Sequence, residues 1–126
     1  MKVSDIDRSV VLEHAKVAAL WSTTGDEDAS YENLDEVFTT ADVTGEAETK
    51  LIEMIDNFLE QAGDLLEKCA MTEEQLGHDI ILTANHHGAG FWDRGLGELG
   101  RSLTSVAHTL GSYDLYVGDD GKLYAY

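Results

Sequence analysis

Histidines and glycines are concentrated in one stretch of this chain, and both residue types are common in reactive and ligand-binding segments. Residues 77–100 have the sequence GHDIILTANHHGAGFWDRGLGELG and hold three of the five histidines and six of the twelve glycines. Glycine lets the backbone adopt positive φ angles and approach other groups closely. Imidazole, carboxylate and guanidinium groups beside such a backbone favour a functional segment.

A metal site is the first chemistry that these residues suggest, since imidazole and carboxylate groups are ordinary ligands for zinc and iron. The candidate side chains are His78, Asp79, His86, His87 and Asp93. Their spacing matches none of the established zinc signatures, and the chain has a single cysteine. The sequence therefore predicts no metal and no other cofactor, and leaves His78, His86 and His87 as the candidate ligands.

A hydrolytic site would instead pair a histidine base with a carboxylate that orients it. His86 or His87 would be the base and Asp93 the orienting group, with Arg94 beside them. The nearby hydroxyl groups lie in no recognisable nucleophile motif. In the competing interpretation, Asp93 and Arg94 form an ion pair that fixes the loop. The sequence thus favours a protein that is not an enzyme.

The glycines resemble phosphate-binding motifs without completing one. Gly95, Gly97 and Gly100 have the spacing of a dinucleotide-binding loop but do not follow the strand that such a loop requires. The helix that begins here could still offer backbone amides to a small anion. Arg94 and Arg101 would add positive charge to that site.

Two amphipathic helices are predicted in the N-terminal half to support this segment. The first covers residues 5–21, with Ser4 or Asp5 as its N-cap. The second covers residues 45–69, where apolar residues recur at steps of three and four, and Thr44 is its predicted N-cap. A further short helical turn is expected around Leu34, Val37 and Phe38.

The hydrophobic pattern then changes. Thr72 and Gln75 have capping-box spacing, which predicts one short turn at 73–76. Residues 78–84 are rich in β-branched and apolar side chains and predict a strand. Residues 96–110 predict another amphipathic helix.

The predicted fold is a single α+β domain over residues 1–126. N-terminal helices pack on a small antiparallel sheet, and a further helix lies between the central strand and a C-terminal hairpin around the turn GDDG. An acidic helical half covers about residues 1–77, and a strand, loop, helix and hairpin cover about 78–126. No apolar run approaches the roughly 18 residues of a membrane span, so we expect no membrane contact.

Four tyrosines alternate along the predicted hairpin, at Tyr113, Tyr116, Tyr124 and Tyr126. Alternate positions of a strand point to opposite faces, so these side chains should divide between the two faces of the hairpin. Tyrosine is favoured at protein interfaces. The hairpin is therefore a candidate docking or homodimer surface.

The net charge of −17 is unevenly distributed. Residues 1–77 hold 19 acidic and 5 basic side chains, and no Lys or Arg occurs between Lys16 and Lys50. Such a field repels nucleic acid and anionic membranes but attracts a basic protein surface. Solvation alone, or adaptation to high salt, is the competing interpretation. The predicted partner-binding carboxylates in this gap are Asp26, Glu27, Asp28, Glu32, Asp35, Glu36, Asp42, Glu46 and Glu48.

The segment GHDIILTANHHGAGFWDRG and the ending DLYVGDDGKLY resemble a family of small bacteriophage proteins. The shared core of that family is similar to GHDFWLTRNGHGAGFWDRG, and the resemblance covers about residues 50–126 well and the N-terminal part loosely. This chain differs at Ile80 and Ile81, where the family has Phe-Trp. It also has Ala84 where the family has Arg, which weakens an anion-binding role for the loop.

The resemblance implies a phage origin and thereby favours one function. Small acidic phage proteins often antagonise host proteins that handle nucleic acid, by imitating the phosphate charge of DNA. We therefore expect an accessory protein in the cytoplasm of the infected cell that binds a basic host protein, as a DNA mimic or inhibitor. The alternative is a small enzyme or ligand-binding domain that uses the glycine-rich loop at 86–94.

Overall fold

Helices dominate the regular structure of the part of the chain that is described. The computed structural model describes residues 1–25, 29–87 and 89–126. The helices are α1 (Arg8–Ser22), α2 (Gly45–Leu66), α3 (Glu73–Ala84) and α4 (Glu98–His108), and the strands are β1 (Leu115–Val117) and β2 (Leu123–Ala125). Short 3₁₀ turns occur at Val3–Asp5, Leu34–Glu36, Thr40–Asp42 and Phe91–Arg94. This is the α+β class that the sequence predicted, with the hairpin at the C-terminal end.

The two long N-terminal helices lie where the periodicity predicted them. Thr44 caps α2 as expected, because its hydroxyl accepts a backbone hydrogen bond from the first turn. The predicted cap of α1 at Ser4 or Asp5 is wrong. The helix begins later, and Asp7 accepts a hydrogen bond from the backbone N–H of Ser9 at 3.0 Å. A hydrogen bond from the Ser9 hydroxyl, together with this backbone bond, lowers the pKa of Asp7.

The segment that was predicted to be the central strand is a helix. Residues 78–84 belong to α3, which begins at the Thr72–Gln75 capping box and continues for 12 residues. Most of α3 is buried, including Leu76, Gly77, Asp79, Ile80, Ile81, Leu82, Thr83 and Ala84. A helix buried on nearly all sides shows no polar face, so its apolar run resembles that of a buried strand. The boundary expected between the two halves of the chain consequently falls inside α3.

Small residues let α3 pack closely on α1. A Cβ on Gly77 would collide with the carbonyl oxygen of Val11 and lie 2.9 Å from the backbone nitrogen of Ala15. Ala15, Ala18 and Ala19 of α1 are fully buried. The β-branched residues of α3 give up at most about 0.7 kcal/mol each in helix propensity. Burial of their side chains against α1 outweighs that loss.

The largest apolar face belongs to α2, which packs against α1, α4 and β2. Its inward side chains follow the predicted steps of three and four residues: Ala47, Leu51, Met54, Ile55, Phe58, Leu59, Ala62 and Leu66. Cys69, three residues after α2, is also buried.

The hairpin is fastened to the N-terminal end of α2. β1 and β2 pair antiparallel, as predicted. The backbone N–H of Thr44 donates to the carbonyl of Leu123 at 2.9 Å, and the Tyr113 hydroxyl donates to the carbonyl of Ala47 at 2.6 Å. These bonds place the outer face of the hairpin beside the first turns of α2.

Candidate functional site

An ion pair joins α3 to the 3₁₀ turn at Phe91–Arg94. The guanidinium of Arg94 donates from Nε to Oδ2 of Asp79 at 2.8 Å and from Nη2 to Oδ1 at 3.0 Å. The side chain of Asp79 is 2% exposed and that of Arg94 is 33% exposed. The hydrogen bond to Asp79 raises the pKa of Arg94, so the guanidinium stays charged. The predicted ion pair between Asp93 and Arg94 is wrong, because Arg94 pairs with Asp79 of α3.

A second contact closes the same loop onto α3. The backbone N–H of Phe91 donates to the hydroxyl of the buried Thr83 at 3.2 Å. Gly90 has a φ of 153°, and a Cβ there would collide with the Thr83 oxygen. Phe91 is fully buried and stacks in parallel on Phe58, with ring centroids 5.4 Å apart. The Thr83 hydroxyl therefore holds the loop, and the absence of a Cβ at position 90 allows the close approach.

The adjacent histidines of the loop contact different parts of the chain. His86 is exposed, has a φ of 56°, and stacks on His108 with ring centroids 4.1 Å apart. His87 packs edge to face with Trp21, with ring centroids 5.4 Å apart. Asp93, the predicted orienting carboxylate, is exposed on the following turn. The structure thus separates the predicted base from its predicted partner.

His78 lies at the α1–α3 contact, with its ring centroid 5.6 Å from that of His14. Burial lowers the pKa of His78, and the neighbouring His14 adds to the shift. A cavity of about 300 Å³ opens here, lined by Trp21, Asp93 and Arg94 among others. It offers an uncharged imidazole and a guanidinium that is already paired. Among the described residues, no group of three His, Cys, Asp or Glu side chains is placed to hold a metal ion.

Only one of the two arginines predicted for the anion site at the start of α4 is available there, because Arg94 is paired with Asp79. Gly95 and Gly97 precede α4 with φ angles of 70° and 61°. Arg94 is directed to α3, whereas Arg101 is exposed. Glu98 occupies the first turn of α4, where its carboxylate competes with an anionic ligand for the positive end of the helix.

Several of the predicted partner-binding carboxylates are used within the fold. Glu36 and Asp42 accept backbone hydrogen bonds at 2.7 and 2.8 Å and so cap the two short 3₁₀ turns that contain them. Glu48 pairs with the Nζ of Lys16 at 3.1 Å, and that lysine is buried. The exposed members of the predicted set are Glu32, Asp35, Glu36 and Glu46, while Asp26, Glu27 and Asp28 lie outside the described residues.

A continuous acidic surface that the sequence-based prediction missed lies on the solvent side of α2 and its C-terminal cap. Five exposed carboxylates follow one another at steps of three and four residues: Glu53, Asp56, Glu60, Asp64 and Glu67. We name this set the acidic stripe. Neighbours at those steps have Cβ atoms about 5–6 Å apart, and the stripe covers about 21 Å of helix. Arg8 pairs with Asp56 within it. The polar positions of the α2 periodicity were the sequence signal for this surface.

The outer face of the hairpin carries aromatic side chains. The ring centroid of Tyr116 lies 5.8 Å from that of Tyr124 and 4.5 Å from that of Tyr126. Tyr113 is buried, so the tyrosines divide between the two faces as expected. The Tyr124 hydroxyl donates to a carboxylate oxygen of Asp120 at 2.7 Å, which raises the pKa of Tyr124 and lowers that of Asp120.

No protein-family model, curated protein or solved structure matches this chain. Within the described residues, no helix has both the length and the apolar character needed to cross a bilayer. Two surfaces are candidates for the site, the cavity beside α3 and the acidic face of α2. In the first, Asp79 and Arg94 are paired with each other. In the second, the five carboxylates are exposed, and among the described residues only Asp56 has an ion-pair partner.

Proposed function

We propose that the protein binds a basic surface of a host protein through the acidic stripe of α2, as an accessory protein of a bacteriophage. The observation that carries the proposal is the row of five exposed carboxylates on one helix face. No Lys or Arg occurs in α2 after Lys50, and Arg8 of α1, which pairs with Asp56, is the one cation found bound to the stripe among the described residues. A face of one sign attracts a surface of the other sign.

The spacing of the stripe supports a DNA-mimicking form of this function. B-DNA carries one charge per about 3.4 Å of axis along each strand. The five carboxylates cover about 21 Å, which is one per about 5 Å of helix axis. Lysines and arginines that a nucleic-acid-binding protein places for phosphates could therefore meet a carboxylate at comparable intervals. Occupation of that groove would inhibit the host protein.

The charge of the whole chain and its resemblance to phage proteins support the same proposal. A net charge of −17 disfavours direct binding to DNA or RNA and favours a basic partner. The resemblance over about residues 50–126 supports a phage origin, and the place of action would then be the cytoplasm of the infected cell.

The experiment is capture from bacterial lysate on the immobilised protein at low salt, followed by elution with either salt or short duplex DNA. We expect the retained proteins to be basic and to bind nucleic acid. We also expect duplex DNA to displace them, because DNA and the stripe compete for one groove. Retention should weaken steeply as salt approaches about 0.3 M, where exposed charges are screened within a few ångströms. No retained protein at low salt, or retention that ignores salt and DNA, would contradict the proposal.

Two variants of equal net charge locate the surface. The stripe variant combines Glu53→Gln, Glu60→Gln, Asp64→Asn and Glu67→Gln. The matched variant neutralises four exposed carboxylates elsewhere, with Asp5→Asn, Glu32→Gln, Asp35→Asn and Glu98→Gln. We expect DNA-displaceable binding to weaken about tenfold in the stripe variant and to be kept in the matched one. Equal losses would mean that net charge alone attracts the partner.

A further inference from the structure

Three tyrosines on the outer face of the hairpin form an aromatic surface. We name Tyr116, Tyr124 and Tyr126 the tyrosine cluster. The inward residues of the same strands, Leu115 and Leu123, are buried, so alternation along each strand turns these rings outward. Tyr126 is 80% exposed and Tyr116 is 38% exposed.

Carboxylates border the tyrosine cluster in two clefts that share Tyr116. Glu46 and Glu53 of α2 line a cleft of about 400 Å³ with Tyr116. Asp119 and Asp120 of the hairpin turn line a second cleft, of about 420 Å³, with the same tyrosine. The aromatic surface is therefore flanked by four acidic side chains. Because Glu53 also begins the acidic stripe, the cluster continues that surface toward the hairpin.

The cleft beside α2 already accommodates a cation of the protein itself. The Nζ of Lys50 donates to the carbonyl oxygen of Ala125 at 2.9 Å, between the α2 carboxylates and the outer strand. The charge of Lys50 offsets part of the charge of Glu46 and Glu53 in this cleft. The tyrosine rings and the hairpin carboxylates extend beyond it.

An arginine side chain fits the combined chemistry of these two clefts. Guanidinium is planar, stacks on aromatic faces and forms paired hydrogen bonds with a carboxylate. Lysine supplies the same charge, but its compact and strongly hydrated ammonium lacks the planar face. An apolar partner would remove water from Glu46, Glu53 and Asp119 without giving their carboxylates a hydrogen-bond partner.

The flanking charges also argue against a second copy of this chain, which the tyrosines alone had suggested. A twofold interface centred on the hairpin would bring the same surface of each copy together. Asp119, Asp120, Glu46 and Glu53 would then face carboxylates of like charge, which costs binding energy. A basic partner removes that repulsion.

We infer that the tyrosine cluster receives an arginine side chain of the basic partner, beside the N-terminal end of the acidic stripe. The inference rests on the proposed function, since the stripe would supply the attraction and the cluster would supply a preference for arginine. The site therefore distinguishes arginine-rich from lysine-rich surfaces of equal charge.

The experiment compares the dissociation constants of labelled decaarginine and decalysine peptides at one ionic strength. Three proteins are used: the wild type, a Tyr116→Leu/Tyr126→Leu variant and a Tyr116→Phe/Tyr126→Phe variant. An exposed cation–π contact is worth a factor of about two to five in affinity, and lysine makes a weaker form of it, so two rings should give a preference for arginine of about two- to fivefold. We expect the phenylalanine variant to keep this preference, because it keeps both rings. The leucine variant should lose most of it.

The possible failures are distinguishable. If neither peptide binds the wild type at low salt, the proposed function fails and the inference fails with it. If both peptides bind but the arginine preference is equal in all three proteins, the inference alone is overturned. The remaining alternative is a homodimer that forms through the tyrosine cluster. Sedimentation at the assay concentration tests it: a wild-type dimer that becomes a monomer in the leucine variant would overturn the inference and make the cluster a self-association surface. Circular dichroism establishes that each variant is folded.

Discussion

Residues 77–100 and the outer face of α2 contrast in what their polar groups contact. In the first region, Arg94 binds the buried Asp79, and the Thr83 hydroxyl accepts a hydrogen bond from the loop backbone. On α2, the carboxylates of the acidic stripe project into solvent over about 21 Å. Arg94, Thr83 and Gly90 of this conspicuous segment thus hold its loop on α3. The ordinary acidic residues of a long helix form the surface that a partner can reach.

Elementary energetics explain the contrast. A polar group that is removed from water needs a partner inside the protein, so a segment with buried polar groups carries strict sequence requirements. Substitution of an exposed carboxylate away from such contacts changes the free energy of unfolding by no more than about 0.5 kcal/mol. Substitutions should therefore separate the two regions, with loss of stability in the first and loss of binding in the second.

The largest effect on stability is expected for Gly77→Ala. The added Cβ would collide with the α1 backbone, and over-packing of this kind costs about 3 kcal/mol when neither backbone can move away. The control is Gly45→Ala, where nothing lies within 4 Å of the added atom. Urea unfolding should show a large shift of the midpoint for the first variant and little for the second. Similar midpoints for the two variants would mean that α1 and α3 are not in rigid close contact.

A smaller loss of stability, of about 2 kcal/mol in the free energy of unfolding, is expected for Arg94→Met. This change leaves the buried carboxylate of Asp79 without its partner. Because Arg94 is partly exposed, the loss of stability should be smaller than for a fully buried ion pair. Adding Asp79→Val removes the stranded charge and should recover part of the stability. Arg101→Met serves as the control, since Arg101 is exposed. Losses that simply add in the double variant would show that the two side chains are not coupled.

The elements with a one-sided hydrophobic pattern were predictable from the sequence. α2 has a broad apolar stripe and a Thr44 cap, and the hairpin has alternating side chains around a glycine-containing turn. α3 was missed because it is buried on nearly all sides, so its periodicity gave no polar face to distinguish a helix from a strand.

The partners of the polar side chains were less predictable. Asp79 lies 15 residues before Arg94, and only the packing of the turn onto α3 brings the two together. By contrast, Glu36 and Asp42 follow Asn33 and Thr39 by three residues, which is capping-box spacing. That local signal indicates that both carboxylates cap turns of the fold and are poor candidates for binding a partner. The exposed carboxylates of α2 have no such signal.

The smallest effect concerns the pH dependence of stability through His78. Burial and the nearby His14 lower the pKa of His78 below its ordinary value of 6.5, so the unfolded chain binds a proton more readily than the folded one. The free energy of unfolding should therefore fall as the pH falls below 6.5, and this group should contribute nothing well above that value.

Urea unfolding at about pH 7.5 and pH 5.5 measures this dependence, since the interval spans the titration of an ordinary histidine. His78→Gln should reduce the difference in stability between the two pH values. An unchanged difference in the His78 variant would mean that its burial does not affect protonation.

The central claim is that the partner binds the acidic stripe and not residues 77–100. The most direct test is the affinity of the protein recovered from lysate for the stripe variant and for a His86→Ser/Asp93→Asn variant, in which both altered side chains are exposed. At a few tenths of a kcal/mol for each exposed charge, the stripe variant should lose about tenfold in affinity at low salt. The loop variant should stay within about twofold of the wild type. Loss of binding in the loop variant with full binding in the stripe variant would contradict the account.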